Sequence, residues 1–307
     1  MIKIGIIGLS DGNGHPYSFS AIINGFDDGY MSQSGWTNIY MYLKERDIAD
    51  FGILDAKVTH IWTQDIRESK KIAKASKIDN IVEKYEDMIA CIDAVIIARD
   101  DYQSHKEIAQ PFLEAGKYVF VDKPLSLDIN DLRYFRPFLE SGQLVSCSGI
   151  KYATELDKLK RDLSELGTIK LIRGTTVKSW EKYAIHMLDG IFSVIPFNVK
   201  SVQYNNSNHE SFTLYNFDGS IIQIDALGIS ELTLRIEFFS DSKYYKADTL
   251  NSFDAFRRTL WNFVDAIKNK KDTNSLLTLD LMRVLIAGNL ARDTNKIIEL
   301  KNIGIKL

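Results

Sequence analysis

Two rhythms of apolar residues alternate through the first half of this chain. Short β-branched runs occur at 2–7, 58–62, 93–98, 117–121 and 144–147. Runs this short and this continuously apolar predict strands buried on both faces. Between them, apolar positions three and four apart predict helices over 68–77, 105–115 and 130–139, with another ending at 88–91. Pro16 opens a further helical pattern that carries Phe19, Ile22 and Ile23. Strand alternating with helix predicts an α/β fold, a doubly wound parallel sheet of the Rossmann type over residues 1–149. The connection at 26–56 is longer than a simple crossover needs. Trp36, Ile39, Tyr40 and Leu43 at helical spacing predict an extra helix there. The segment reads equally as a functional insertion and as a surface piece packing its aromatics on the neighbouring helix.

After residue 149 the pattern changes. A helix is predicted over 155–166, a strand over 169–177 and a helix over 183–194. Strands at 201–204, 211–216, 220–226 and 233–240 follow, and two helices, 253–269 and 279–294, close the chain. Asp218-Gly219 between two strands is a hairpin signal. Successive hairpins predict an α+β domain with a mostly antiparallel open sheet over residues 150–307. Such a sheet, with one face uncovered at 221–224 and 232–239, predicts a homo-oligomer, dimer or tetramer, formed through this domain.

At 307 residues the chain has room for two cores. A net charge of −3 gives no reason to expect nucleic acid or an anionic membrane as partner. No apolar run reaches the length of a membrane span. The chain begins directly on a strand-like segment, which predicts no signal peptide. Cys91 and Cys147 stand in apolar surroundings without C-x-x-C spacing, as reduced core thiols of a cytoplasmic protein would. No His, Cys and carboxylate cluster has the spacing of a metal site.

The candidate chemistry sits at strand ends and on one helix. Gly8-Leu9-Ser10-Asp11-Gly12-Asn13-Gly14 joins the first strand to the first helix, an arrangement that aims backbone N–H groups at a phosphate. Gly8 takes the first position of G-x-G-x-x-G, with Ser10 and Asn13 at the second and third. An ordinary strand-to-helix turn reads equally well. At the end of the second strand Thr63 holds the place where an acidic residue grips an adenosine ribose, and Asp65 follows two places later. Arg67 faces either a 2′-phosphate or solvent, so NAD and NADP both stay open. Arg99 and Asp100 end the 93–98 strand. His105 and His15 are read as bonding to backbone near the cofactor. The strand at 117–121 ends in Asp122-Lys123-Pro124, which sets a lysine at a sheet edge, where ligands bind. His186 and Asp189 are one helical turn apart and share a face. Lys151 and Tyr152, just past the last parallel strand, and Trp180, Lys182 and Tyr183 are candidates for the substrate, with core packing equally open for the aromatics.

The chain resembles the Gfo/Idh/MocA oxidoreductase family. The likeness lies in the Gly8 turn, in FLEAGKYVFVDKP (112–124), in LGTI (166–169), in HMLD (186–189) and in the closing pair of helices. It covers almost the whole chain, and the DKP block after an AGK strand is its specific part. The resemblance implies an NAD(P)-dependent dehydrogenase of a sugar, cyclitol or sugar derivative. It implies that Lys123 positions the substrate hydroxyl, that His186 is the general acid/base and that Lys123–Pro124 is cis. Three departures stand out: Lys182 where the family often carries aspartate, the Ser10/Asn13 turn, and ARDDYQSH (98–105) where TPN-x-x-H is common. With Lys182 there, Asp189 becomes the expected partner of His186. A histidine base beside an ammonium is suited to taking a hydroxyl proton as a hydride leaves. The weak glycine turn and Lys182 also leave a second class of function, a cofactor-binding sensor or partner protein without turnover.

Overall fold

The computed structural model describes residues 1–270 and 275–304. The chain forms two compact units. The first holds a six-stranded parallel sheet of β1 (Ile2–Ile7), β2 (Ala56–Trp62), β3 (Asn80–Ile81), β4 (Ala94–Ile97), β5 (Tyr118–Val121) and β6 (Leu144–Val145). Their spatial order is β3-β2-β1-β4-β5-β6, that of a doubly wound dinucleotide fold. The continuous apolar runs are the central strands, and Ala94 to Ile97 are wholly buried. Ile7 of β1 pairs in register with Ile97 of β4, and Ile97 with Val121 of β5. The three strands therefore end side by side, and the residues that follow each of them share one sheet edge.

Helices α1 (His15–Asn24), α2 (Asp28–Ser32), α3 (Thr37–Lys44), α4 (Ile66–Ala75), α5 (His105–Glu114) and α6 (Ile129–Glu140) fill the connections. The 26–56 segment contains the expected helix as α3. It packs against the start of α1: a Cβ on Gly14 would meet the Trp36 ring at 2.6 Å and Ile39 Cδ1 at 2.5 Å. Tyr42 Oη also donates to Ser18 Oγ. The segment thus backs the glycine turn from behind.

The second unit is built on seven strands: β7 (Ile169–Thr176), β8 (Val199–Asn205), β9 (Glu210–Asn216), β10 (Ile221–Ala226), β11 (Leu234–Ser240), β12 (Tyr244–Asp248) and β13 (Ile298–Glu299). The order is β12-β11-β7-β10-β9-β8-β13, and every pairing but β7–β10 is antiparallel. Its remaining helices are α7 (Asp157–Arg161) and α8 (Trp180–Phe192), and two later ones, α9 (Ser252–Asn269) and α10 (Leu277–Thr294), close the chain. Helix α8 lies on the sheet because two glycines let it approach. A Cβ on Gly174 would meet Met187 at 2.8 Å, and one on Gly190 would meet Ile236 at 2.5 Å.

Three expectations are corrected. The 155–166 helix is broken into 3-10 turns at Thr154–Leu156 and Leu163–Leu166 around α7. Tyr245 Oη donates to Glu155 O at 2.6 Å, taking a carbonyl that a continuous helix would use. Strand β12 is an addition; only Ala247 in it is buried, so it has little apolar signal. A single cut at 149/150 does not divide the units. Residues 256–275 belong to the first, where Phe256 meets the Phe19 and His15 rings and Phe263 meets Phe120. Residues 126–133 belong to the second, where Arg133 donates to Gly304 O.

Candidate functional site

Within the first unit, the ends of β1, β4 and β5 bring together Ser10, Asp100 and Lys123. Ser10 Oγ donates to Asp100 Oδ1 at 2.6 Å and accepts the Asp100 N–H at 3.0 Å. Asp100 Oδ2 lies 4.0 Å from Lys123 Nζ, with both side chains buried. Asp100 therefore faces inward. Asp101 instead takes the fork of Arg99 at 2.9 and 2.7 Å. Burial alone would raise the Asp101 carboxyl, but the Arg99 guanidinium holds it below the usual carboxylate range.

Asp122 is the second buried carboxylate of this edge. It accepts from Asn13 Nδ2 at 2.9 Å and meets His15 Nδ1 at 2.6 Å. Burial opposes its charge, yet His15, Lys123 and Asn13 together hold it well below the ordinary value. His15 thus binds a carboxylate, not the backbone foreseen from the sequence. His105 does bond to backbone, with its two nitrogens 2.9 Å from Leu125 O and from Arg99 O. The Lys123–Pro124 peptide is cis.

The glycine turn has room for a phosphate. Gly12 has φ +71° and nothing within 4 Å of where a Cβ would stand, and the turn leads directly into the ten-residue α1. Beyond β2, Thr63 Oγ1 donates to Asp65 O at 2.7 Å. Asp65 caps α4 through Arg67 N and pairs with the exposed Arg67 guanidinium at 3.0 Å. The residues at these strand ends fit a dinucleotide: an open left-handed glycine for the pyrophosphate, a carboxylate beyond β2 for the ribose, and a buried lysine beyond β5.

In the second unit, α8 presents His186 half-buried and Asp189 buried. The link between them runs through Ser148, which follows β6. His186 Nδ1 lies 2.6 Å from Ser148 Oγ, and Asp189 Oδ2 accepts the Ser148 N–H at 2.6 Å. Sequence reasoning missed Ser148, since nothing in the spacing joins it to a helix 38 residues away. Tyr183 stands edge-on to His186 with centroids 4.8 Å apart, and Lys178 Nζ lies 4.5 Å over the Tyr183 ring. Lys182 is exposed, Lys151 sits over the Tyr152 ring, and burial pushes the Tyr152 phenol up. Trp180 is core and not a platform for a sugar: it is fully buried, stacked on Phe212 at 3.9 Å, with Nε1 donating to Leu285 O.

Asp189 is pushed up from 3.8 to about 6 by burial, against the pull of Lys151 and the Ser148 N–H. A raised carboxyl favours the protonated folded state, so its contribution to stability is present at pH 4 and lost as pH rises through 6. A rise of this size is equivalent to about 3 kcal/mol. The unfolding free energy of wild type relative to Asp189→Asn should therefore fall by about 2 kcal/mol between pH 4 and 7, read by denaturant titration. A difference that stays flat with pH would contradict the assignment.

Cys147 is buried as expected, but Cys91 is exposed; neither is in a disulfide. Among the described residues no group of His, Cys, Asp and Glu could hold a metal, and no helix is long and apolar enough to cross a membrane.

Residues 2–135 match the model of a family described as "Oxidoreductase family, NAD-binding Rossmann fold". No curated protein matches the sequence. Among solved structures, the scyllo-inositol dehydrogenase of Lactobacillus casei with bound NAD(H) and scyllo-inositol is similar over 98% of this chain and 100% of its own, at 18% identity and TM-score 0.78. The myo-inositol 2-dehydrogenase of Lactobacillus plantarum is similar over 97% and 99%, at 16% and 0.77. A probable dehydrogenase of Thermotoga maritima is similar over 98% and 100%, at 16% and 0.75. At these identities the likeness is one of fold.

Proposed function

We propose that this chain, whose residues 2–135 belong to the Gfo/Idh/MocA oxidoreductase family and form its NAD-binding domain, is an NAD-dependent dehydrogenase of a ring hydroxyl on a cyclitol or sugar derivative. The observation that carries this reading is the convergence of the Gly8 turn, Asp100 and Lys123 at the ends of β1, β4 and β5. The inositol dehydrogenases of the same fold support a polyhydroxylated ring as substrate. The Asp65–Arg67 pair supports NAD over NADP, because the guanidinium is engaged by a carboxylate where a 2′-phosphate would need it.

Bound NAD⁺ supplies the hydride acceptor. Lys123 holds the substrate hydroxyl and stabilises the alkoxide character that develops on its oxygen. His186 takes the hydroxyl proton at Nε2, since Nδ1 is engaged by Ser148. The C–H bond gives up its electron pair as hydride, the O–H bond leaves its pair to form C=O, and the proton stays on the imidazole. In the reverse direction the same groups protonate a carbonyl.

Two cysteines outside any disulfide support a reducing, cytoplasmic setting. The uncovered face of the second sheet, with Ile221 and Phe239 half-buried on it, supports self-association. The purified protein should bind NADH by fluorescence titration, reduce NAD⁺ with a member of a cyclitol and sugar-derivative panel, and run as a dimer or tetramer by light scattering. NADH binding without turnover on any member would favour a cofactor-binding sensor instead.

A further inference from the structure

We infer that the substrate is an anion: a sugar or cyclitol derivative carrying a carboxylate or a phosphate. The inference rests on the dehydrogenase reading and narrows it.

Three lysines of the second unit stand on or beside the elements that carry His186. Lys182 precedes it by one helical turn, so the two share a face of α8. Lys178 Nζ sits 4.5 Å over the Tyr183 ring, and that ring touches His186 edge-on. Lys151 lies beyond Ser148, close enough to Asp189 to favour its charge. None of the three is in an ion pair with a carboxylate among the described residues. Glu181, next to Lys182 in sequence, lies 3.7 Å from Arg292. Asp189, which shares Ser148 with the imidazole, is buried and accepts a backbone N–H.

The fields of several ammonium groups add, and an anion held near them is favoured by that sum. The backbone at Lys178 strengthens the case. Its φ of 58° is left-handed, a conformation that a side chain larger than glycine adopts at a cost. It is held by reciprocal bonds with Gly228, at 2.8 and 3.0 Å. The chain thus holds a strained residue whose ammonium rests on the ring beside the proposed base. Lysines also offer donors only. A neutral polyol, whose hydroxyls both donate and accept, is served best by a mixture of carboxylates and donors; a carboxylate or phosphate is served by donors alone.

The test compares kcat/KM for D-glucuronate, D-gluconate and an inositol monophosphate with that for myo-inositol and glucose, using the full chain and NAD⁺. An anionic compound should be preferred by at least about tenfold, and the preference should shrink as NaCl is raised. The carboxylate and phosphate arms identify which anion is meant. Lys178→Ala and Lys182→Ala should each raise KM for that compound about five- to tenfold with kcat within about threefold, and Lys→Arg should restore most of it. Equal or better use of neutral compounds, or a KM that ignores both substitutions, would overturn the inference. Quenching of bound NADH by the same compounds separates the two readings. Lys178-dependent anion binding without turnover would sink the dehydrogenase and keep the anion site. Absence of anion binding would sink the anion site whatever the turnover.

Discussion

Lys123→Ala should lower kcat by about 10²–10³-fold while NADH binding stays within a few fold. Lys123 leaves β5 at the sheet edge, and the residue is only 4% exposed. A buried ammonium acts through far less screening than a surface one, so its effect on a developing alkoxide is large. Asp100 and Asp122 set its surroundings, at 4.0 Å and as its chain neighbour. Removing the cation also leaves two buried carboxylates with less compensation, which costs stability. Lys123→Gln, which keeps most of the volume, and a thermal melt of each variant separate unfolding from lost chemistry. Lys123→Arg should stay impaired, because a planar fork does not replace a point charge in a packed place. Turnover within threefold of wild type in a folded Lys123→Gln protein would remove the role given to this lysine.

The sheet that places Lys123 was legible because buried parallel strands write themselves as continuous β-branched runs. Residues 93–98 and 117–121 could hardly be anything else. Once those strands are adjacent, the rule that ligands lie beyond their carboxyl ends brings Gly8, Asp100 and Lys123 together without further information. What stayed hidden depends on pairings across long stretches of chain. Ser148 looks like the end of a strand until α8 is laid beside it, and His15 looks like a helix start until Asp122 comes within 2.6 Å. Trp180 sits in the same amphipathic helix as Tyr183, and the string does not say that its indole stacks on Phe212 of β9. Likewise the apolar stripe that ends in Phe256 and Phe263 declares itself buried, but not in which core. Local periodicity reports burial, and only tertiary contact assigns it an address.

His186→Ala should cost about 10²–10⁴-fold in kcat, the range for loss of a general acid/base. The limb of the pH–rate profile that a histidine base imposes at low pH should vanish with it. Ser148→Ala should do less, about tenfold on kcat with KM nearly unchanged, because the imidazole remains but its Nδ1 partner is gone. A base acting at Nε2 keeps its proton on Nδ1 in the neutral ring as well as in the imidazolium, so in both states the Ser148 hydroxyl oxygen accepts from Nδ1–H. Ser148→Thr keeps that hydroxyl and should recover activity if its added methyl is tolerated. Ser148→Asp should fix the proton on Nδ1 and favour the imidazolium, shifting the low-pH limb upward. The pair of shifts distinguishes a positioning hydroxyl from a merely structural one. A Ser148→Ala protein with wild-type kcat and an unmoved pH profile would leave His186 oriented by something other than this bond.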